Sequence, residues 1–153
     1  MPSAERSYRS TALDRVFADT RIVTAVGPVR GLDIERTRRT LTAAEHVDAE
    51  PHIALEPRSD ARRWRYRSNI AGDNVTTSSG GTEDLGQMLT DIRSRQGARG
   101  PLEVVVFDDH LAIDYSHGIG DGQIGVLMLA AFCDDADGSL VPGLAAGLPP
   151  STT

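Results

Sequence analysis

The sequence predicts an α/β fold in which a mixed β-sheet is covered by helices. Apolar, β-rich runs occupy residues 21–26, 102–107 and 111–115, and helical patterns of apolar residues occupy residues 82–97 and 121–132. The chain has 153 residues, of which 39% are hydrophobic and 25% are charged. This length and composition are typical of one globular domain, so strands and helices are expected to share one core.

The first half of the chain alternates between helix and strand signals. Residues 10–18 predict a short helix with an apolar face, and Asp33 is suited to cap a second helix that ends before Pro51. Residues 53–55 and 64–66 flank a Pro-Arg-Ser-Asp segment, which is typical of a hairpin turn. We therefore expect a hairpin between the second helix and the later strands.

Composition divides the chain into three segments. Residues 1–9 are polar and are expected to form a flexible N-terminus, whereas residues 10–134 carry the periodic patterns of a folded lobe. Residues 135–153 are dominated by Asp, Gly, Pro and small side chains, which predicts a poorly ordered tail. Met88 and Met128 are expected in the core of the lobe.

Charge and residue content exclude several classes of function. A net charge of -6 argues against a protein that binds nucleic acid or an anionic membrane. All basic residues are Arg, so mechanisms that need a lysine nucleophile are excluded. The single Cys133 allows no internal disulfide, and the chain shows neither a secretory signal nor a membrane span. We therefore expect a cytoplasmic protein.

Five arginines cluster around the predicted hairpin. Alternating charge on an exposed strand is ordinary, so this cluster predicts a solvated hairpin face. The alternative is a site for a phosphate-bearing ligand such as a nucleotide or coenzyme A. The arginines are Arg58, Arg62, Arg63, Arg65 and Arg67. Trp64, between them, is predicted to pack within the hairpin rather than to stack on a ligand.

Residues 113–122 place His117, Asp121 and three glycines at the junction of a predicted strand and helix. His117 follows the strand and Asp121 precedes the helix. Loops in this position often hold reactive groups on a rigid scaffold. Histidine titrates near neutral pH and can accept a proton from a hydroxyl, amine or water as it attacks. Asp121 is suited either to cap the helix or to form an ion pair with an arginine.

In this setting the segment resembles the CoA-dependent acyltransferase superfamily, whose signature is His-His-x-x-x-Asp-Gly. That superfamily includes chloramphenicol acetyltransferases, peptide-synthetase condensation domains, wax ester synthases and polyketide-associated acyltransferases. His117 matches the second histidine of the signature, and Asp121 and Gly122 match its Asp-Gly. Ser116 stands where the signature has its first histidine. The resemblance implies one lobe of the chloramphenicol acetyltransferase-like fold.

The resemblance also implies a mechanism. His117 would be the general base that deprotonates a hydroxyl or amine acceptor as it attacks an acyl thioester, and Asp121 would hold the shape of the loop. The thioester, on coenzyme A or a carrier protein, would be a co-substrate, and neither a bound cofactor nor a metal is implied. The residues expected to support the motif are Ser116, Gly118, Gly120 and Gly122.

The length of the chain departs from that family, whose members usually combine two related lobes around a tunnel. This sequence supplies only a first lobe, so the second-lobe contacts to the oxyanion are missing, and such contacts are worth about 3 kcal/mol per donor. Self-association, or a partner chain carrying the second lobe, would complete the site. The alternative is a non-catalytic or truncated lobe that acts as a binding module.

Two other interpretations use the same residues. The glycines within residues 120–125 match a dinucleotide-binding fingerprint. That fingerprint also needs a second strand and an acidic residue further along the chain. Here the chain is instead rich in Pro and Gly, which argues against a dinucleotide site. A metal site would need His110, Asp114 and His117 together. Strand alternation places His110 and Asp114 on one face and His117 on the other, so we predict no metal site.

Overall fold

The computed structural model describes residues 5–47, 50–72, 74–78, 85–94, 100–107, 109–134 and 138–146. The strands in these ranges are β1 (Ser7–Arg9), β2 (Arg21–Val26), β3 (Arg63–Arg65), β4 (Val75–Thr77), β5 (Leu102–Val106) and β6 (Leu111–Ser116). The helices are α1 (Ala12–Phe17), α2 (Ile34–Val47), α3 (Leu85–Arg93), α4 (Gly122–Asp134) and α5 (Val141–Ala146), with a 3₁₀ turn at His52–Ala54.

A four-stranded sheet has the order β2-β6-β5-β4. β6 pairs antiparallel with both β2 and β5, whereas β4 runs parallel to β5. The predicted mixed sheet is therefore confirmed. β6 lies inside the sheet, and all six of its residues are buried, including the polar residues Asp114 and Ser116.

Helices cover both faces of this sheet. Because successive side chains of a strand point to opposite faces, Ile113 and Tyr115 join the main core with α2, α4 and α5, whereas Ala112 packs with Met88 of α3. Met128 is fully buried in the main core. The predicted burial of both methionines is therefore confirmed.

A second, two-stranded sheet pairs β1 with β3. Tyr8 lies opposite Trp64, and Trp64 is buried against Ala18 and Leu55. The indole N–H of Trp64 donates to the carbonyl of Arg58 at 2.9 Å. Trp64 therefore packs within the hairpin region, as the sequence predicted.

Two segments are more ordered than the sequence indicated. The expected flexible N-terminus contains β1, because Tyr8 gains a buried partner in Trp64 through the strand pairing. The expected poorly ordered tail contains α5, whose Leu144 and Ala145 are buried in the main core. The ends expected for the helix around α3, residues 82 and 97, lie outside the described residues. None of the helices in the described ranges is long and apolar enough to cross a membrane.

Candidate functional site

The motif residues follow β6 and lead into α4. Ser116 ends the strand, His117 begins a turn, and Asp121 directly precedes the first residue of α4. A carboxylate oxygen of Asp121 accepts from the backbone N–H of Gln123 at 2.9 Å. Asp121 is thus placed as a cap of α4, the first of its two predicted roles.

Tyr115 stabilises the motif loop through a hydrogen bond from the core. Its hydroxyl donates to the carbonyl of Asp121 at 2.6 Å, and the residue is fully buried in the main core. Burial raises the pKa of Tyr115 to about 12, so the hydroxyl keeps its proton and remains a donor at neutral pH. The hydroxyl lies so close to Gly125 that a Cβ there would approach it to 2.7 Å. No local sequence pattern indicates the contact between Tyr115 and Gly125, because it joins a strand to the helix after the loop.

His117 is half-buried and is attached to the chain that follows α1. Its backbone N–H donates to the carbonyl of Thr20 at 2.7 Å. Its imidazole stacks on the ring of Phe17, with 4.4 Å between ring centroids and 19° between planes. Within the part of the chain that the structure describes, no hydrogen bond or ion pair to this imidazole is present.

Ser116, in place of the first histidine of the signature, anchors the start of the loop. Its hydroxyl donates to the carbonyl of Ala18 at 2.6 Å and accepts from the N–H of Gly118 at 3.1 Å. The residue is buried. A serine here satisfies two backbone groups that would otherwise be buried without partners, so it supports the fold of the loop.

The glycines of the motif differ in their surroundings. A Cβ at Gly118 would lie 2.6 Å from Cβ of Pro57 and 3.1 Å from the indole of Trp64, so only glycine fits this contact with the second sheet. Gly120 is buried. Gly122 is exposed, and a Cβ there would meet no atom within 4 Å. Steric space therefore explains the glycine at position 118 but not the one at 122.

Arg21 and Asp114 form a buried ion pair beside the motif. Nε of Arg21 lies 2.9 Å from a carboxylate oxygen of Asp114, whose side chain is 1% exposed. The same guanidinium donates to the carbonyls of Gly100 at 2.7 Å and Asp114 at 3.2 Å. An ion pair with an arginine was one of the two roles predicted for Asp121, and in the structure Asp114 forms such a pair. The pair connects β2 to β6.

His52 lies close to the motif loop. It is half-buried, its ring packs edge-on against Tyr8 at 5.3 Å, and it lies close to the backbone of Gly118. Burial lowers the pKa of His52, although Asp14 and the Gly118 backbone act to raise it. No local sequence signal indicates this contact, since it joins residues 66 positions apart.

The lowered pKa of His52 predicts that the protein loses stability in acid. Because the folded state lowers the pKa of His52 from its ordinary 6.5, the unfolded chain binds more protons below that pH, and the free energy of unfolding falls as pH decreases. We expect His52→Gln to remove this part of the pH dependence. Urea unfolding at a series of pH values below 6.5 would measure the effect.

The matched control is His46→Gln, because the side chain of His46 is 70% exposed. This variant should follow the pH dependence of the unchanged protein. If the His52→Gln and His46→Gln curves are parallel, burial of His52 does not govern acid stability.

The arginine cluster is largely solvated, as predicted. Arg58 forms an ion pair with Asp60 at 3.0 Å, and Arg65 forms one with Glu56. Both arginine side chains are more than half exposed. Arg67 differs, because it is partly buried, burial lowers its pKa, and its Nε and one Nη have no hydrogen-bond partner among the residues that the structure describes. A cavity of about 640 Å³ along β3 is lined by arginines together with Glu5 and Glu56, so its charge is mixed.

Metal ligands do not gather in the described part of the chain. Within it, no group of three or more His, Cys, Asp or Glu residues is placed to hold an ion. The three residues of the metal alternative have different neighbours: His110 contacts Asp109, Asp114 contacts Arg21, and His117 contacts Phe17.

The mixed sheet, its helices and the loop between β6 and α4 form a fold that matches parts of larger solved structures. The solved structures that it matches include the nonribosomal peptide synthetase FmoA3, with a TM-score of 0.53, 13% identity and coverage of 87% of this chain but 15% of that one. Another, from a structure described as the basis of condensation domain-mediated chain release from the enacyloxin polyketide synthase, matches with a TM-score of 0.51 and 17% identity. It covers 89% of this chain and 31% of that one.

These likenesses concern the fold. The present chain spans less than a third of the length of the two matched chains. No family model and no curated protein matches the sequence.

Proposed function

We propose that this chain is one lobe of an acyltransferase that moves an acyl group from a thioester to a hydroxyl or amine. The observation that carries the proposal is His117, which follows the central strand and has an imidazole without a polar partner among the described residues. The condensation-like fold supports the same reaction class, since one of the matched structures is described as mediating chain release.

In the proposed reaction His117 acts on the acceptor. Its unprotonated nitrogen takes the proton of the acceptor O–H or N–H while the acceptor oxygen or nitrogen attacks the thioester carbonyl. The new ester or amide bond forms as the carbon–sulfur bond breaks, and the thiolate leaves with the electron pair. The proton held by His117 then passes to the sulfur, which gives a free thiol and returns the base. The acyl donor, a coenzyme A or carrier-protein thioester, is a co-substrate rather than a resident cofactor.

The proposed role of Asp121 is to shape the loop. Its carboxylate caps α4 and its carbonyl accepts from Tyr115, so both ends of the residue fix the path of the chain after His117. It therefore acts through position rather than by proton transfer.

A second lobe is part of the proposal. Apolar side chains are exposed on both helices that flank the motif: Leu13 is 64% and Val16 69% exposed on α1, and Val126 is 66% exposed on α4. Leu13 and Val16 are three residues apart, so they lie on one face of α1, and a partner that covers this face would bury both side chains. We propose that a second lobe, from another copy or a separate chain, covers this surface and completes the acyl-binding channel.

A non-catalytic binding module is the second candidate. The cleft of about 240 Å³ at the end of the main sheet is lined by Arg21, Pro101 and Ser116 among others, and His117 is not among its lining residues. A ligand held there would contact Ser116, the neighbour of His117, rather than line up on His117 itself. This observation favours binding without transfer.

Release of free thiol from a panel of acyl-CoA donors, with alcohol and amine acceptors present, separates the two functions. The acyltransferase predicts thiol release that rises steeply with protein concentration, or on addition of a second-lobe partner, because association completes the channel. Donor binding detected by calorimetry without thiol release, at concentrations where the chain is fully associated, would favour the binding module.

The exposed face of α1 gives a further prediction. Replacing both Leu13 and Val16 by Asp should change the free energy of unfolding of the isolated chain by only about 0.5 kcal/mol per site, because both side chains are exposed. The same change should weaken association, measured by sedimentation, and reduce the associated thiol release.

The matched control is Val47→Asp on α2, where the side chain is 51% exposed. If this control weakens association as much as the changes on α1, the lobe does not associate through α1.

A further inference from the structure

We infer that Phe17 is the positioning residue of the proposed general base, because it holds the plane of the His117 imidazole by stacking. This inference rests on the proposed function for its catalytic consequence. The geometric observation stands by itself: the rings are 4.4 Å apart and 19° from parallel.

A histidine base usually has a third group that orients it. In the common arrangement, a carboxylate or a carbonyl accepts from one ring nitrogen and fixes the imidazole. Such an acceptor is not present for His117 among the described residues. The final torsion of a histidine side chain is broad, so a ring without a partner would sample many orientations. The face of Phe17 restricts that rotation without occupying either nitrogen.

The backbone makes the stacking a fixed feature of the fold. Two consecutive motif residues bond to the chain just beyond Phe17: the Ser116 hydroxyl donates to the carbonyl of Ala18, and the His117 N–H donates to the carbonyl of Thr20. Thr20 in turn donates to the carbonyl of Phe17 at 3.0 Å. Phe17 and His117 are therefore attached to each other through short hydrogen-bonded links on both sides.

The start of α1 is equally well fixed. Thr11 and Asp14 form a capping box, with the Thr11 N–H donating to Asp14 at 2.7 Å and the Asp14 N–H donating to Thr11 at 3.1 Å. The Tyr8 hydroxyl also donates to the Asp14 carboxylate at 2.9 Å, which connects α1 to the second sheet. A helix of six residues without buried side chains would not be stable alone. These contacts hold it in place, and the feature that it presents to the motif is the ring of Phe17.

The test compares Phe17→Leu, which removes the aromatic face, with Phe17→Tyr, which keeps it. Nuclear magnetic resonance gives a readout that does not depend on activity, because the ring current of Phe17 shifts the carbon-bound ring protons of His117 upfield. These signals are assigned by their loss in His117→Asn. We expect Phe17→Leu to move them downfield and Phe17→Tyr to leave them in place.

The catalytic readout is thiol release. Phe17→Leu should lower kcat roughly 10- to 100-fold with little change in KM, because a misplaced base weakens the chemical step rather than binding. Phe17→Tyr should restore kcat. Phe107→Leu is the matched control, since Phe107 packs against the α3 side of the sheet and should change neither the signals nor kcat.

Unchanged His117 signals in Phe17→Leu, or equal shifts in Phe17→Leu and Phe17→Tyr, would overturn the inference. Phe17→Met provides a second aliphatic variant should Phe17→Leu not fold. If the unchanged protein shows no acyl transfer with any donor, the proposed function fails. The resonance signals of the His117 ring protons would still decide whether Phe17 positions the His117 ring.

Discussion

Replacing His117 by alanine is expected to lower acyl transfer roughly 100- to 10,000-fold, the usual contribution of a general base. The reason is that the acceptor hydroxyl or amine keeps its proton and is a weak nucleophile without a base. Donor binding should be nearly unchanged, so the loss should lie in kcat rather than in KM. Initial rates of thiol release, measured at a protein concentration that drives association, would give the value.

The matched control for this experiment is His46→Ala, because the His46 side chain is 70% exposed on α2. It should retain the full rate. Thermal unfolding of His117→Ala should show only a modest loss of stability, since the imidazole makes no hydrogen bond within the described residues and the substitution removes its stacking on Phe17. Retention of thiol release in the His117→Ala variant would remove the base from the proposed mechanism.

The largest effect on stability is expected at Arg21. Replacing it by methionine leaves the carboxylate of Asp114 buried without its cationic partner, and such a change costs about 3–5 kcal/mol. For a chain of this size the melting temperature falls by about 2–4 °C per kcal/mol, so a decrease of roughly 6–20 °C should result. Urea unfolding would measure the free energy, and calorimetry would measure the melting temperature.

Arg38→Met is the matched control for Arg21→Met, because Arg38 pairs with Glu35 on the surface of α2, with side chains 38% and 61% exposed. Exposed pairs contribute about 0.2–1 kcal/mol, so its effect should be much smaller. Adding Asp114→Leu to Arg21→Met should recover part of the lost stability, since the buried charge is then removed. Equal effects of Arg21→Met and Arg38→Met would contradict the importance assigned to the buried pair.

The sequence allowed the central part of the fold to be predicted because its signals are local. The apolar runs of β5 and β6 and the short connection between them indicate a hairpin, and the structure pairs these strands antiparallel. The mixed sheet and the cap of α4 at Asp121 could also be predicted, since alternation and capping depend on neighbouring residues.

Contacts between distant segments could not be predicted from the same signals. Tyr8 forms a strand only because Trp64 lies opposite it, and α5 is held by burial of Leu144 rather than by a strong helical pattern. These cases show tertiary packing overriding local propensity.

The candidate site shows the same division. His117 and Asp121 were visible as a motif, whereas the partners that arrange them were not. Phe17, which stacks on His117, lies 100 positions before it in the sequence. Arg21, which pairs with Asp114 beside the motif, lies 93 positions before that residue. One sequence carries no sign of such pairs, because each is defined by the fold.

The most direct test of acyl transfer is the mass of the acceptor after incubation with an acyl thioester and the associated protein. Thiol release alone could also arise from hydrolysis, whereas an acceptor that gains the mass of the acyl group can arise only by transfer. The proposed function predicts this product with the unchanged protein and little or none with His117→Ala. Equal yields of acylated acceptor with both proteins, or none with either across the donor panel, would contradict it.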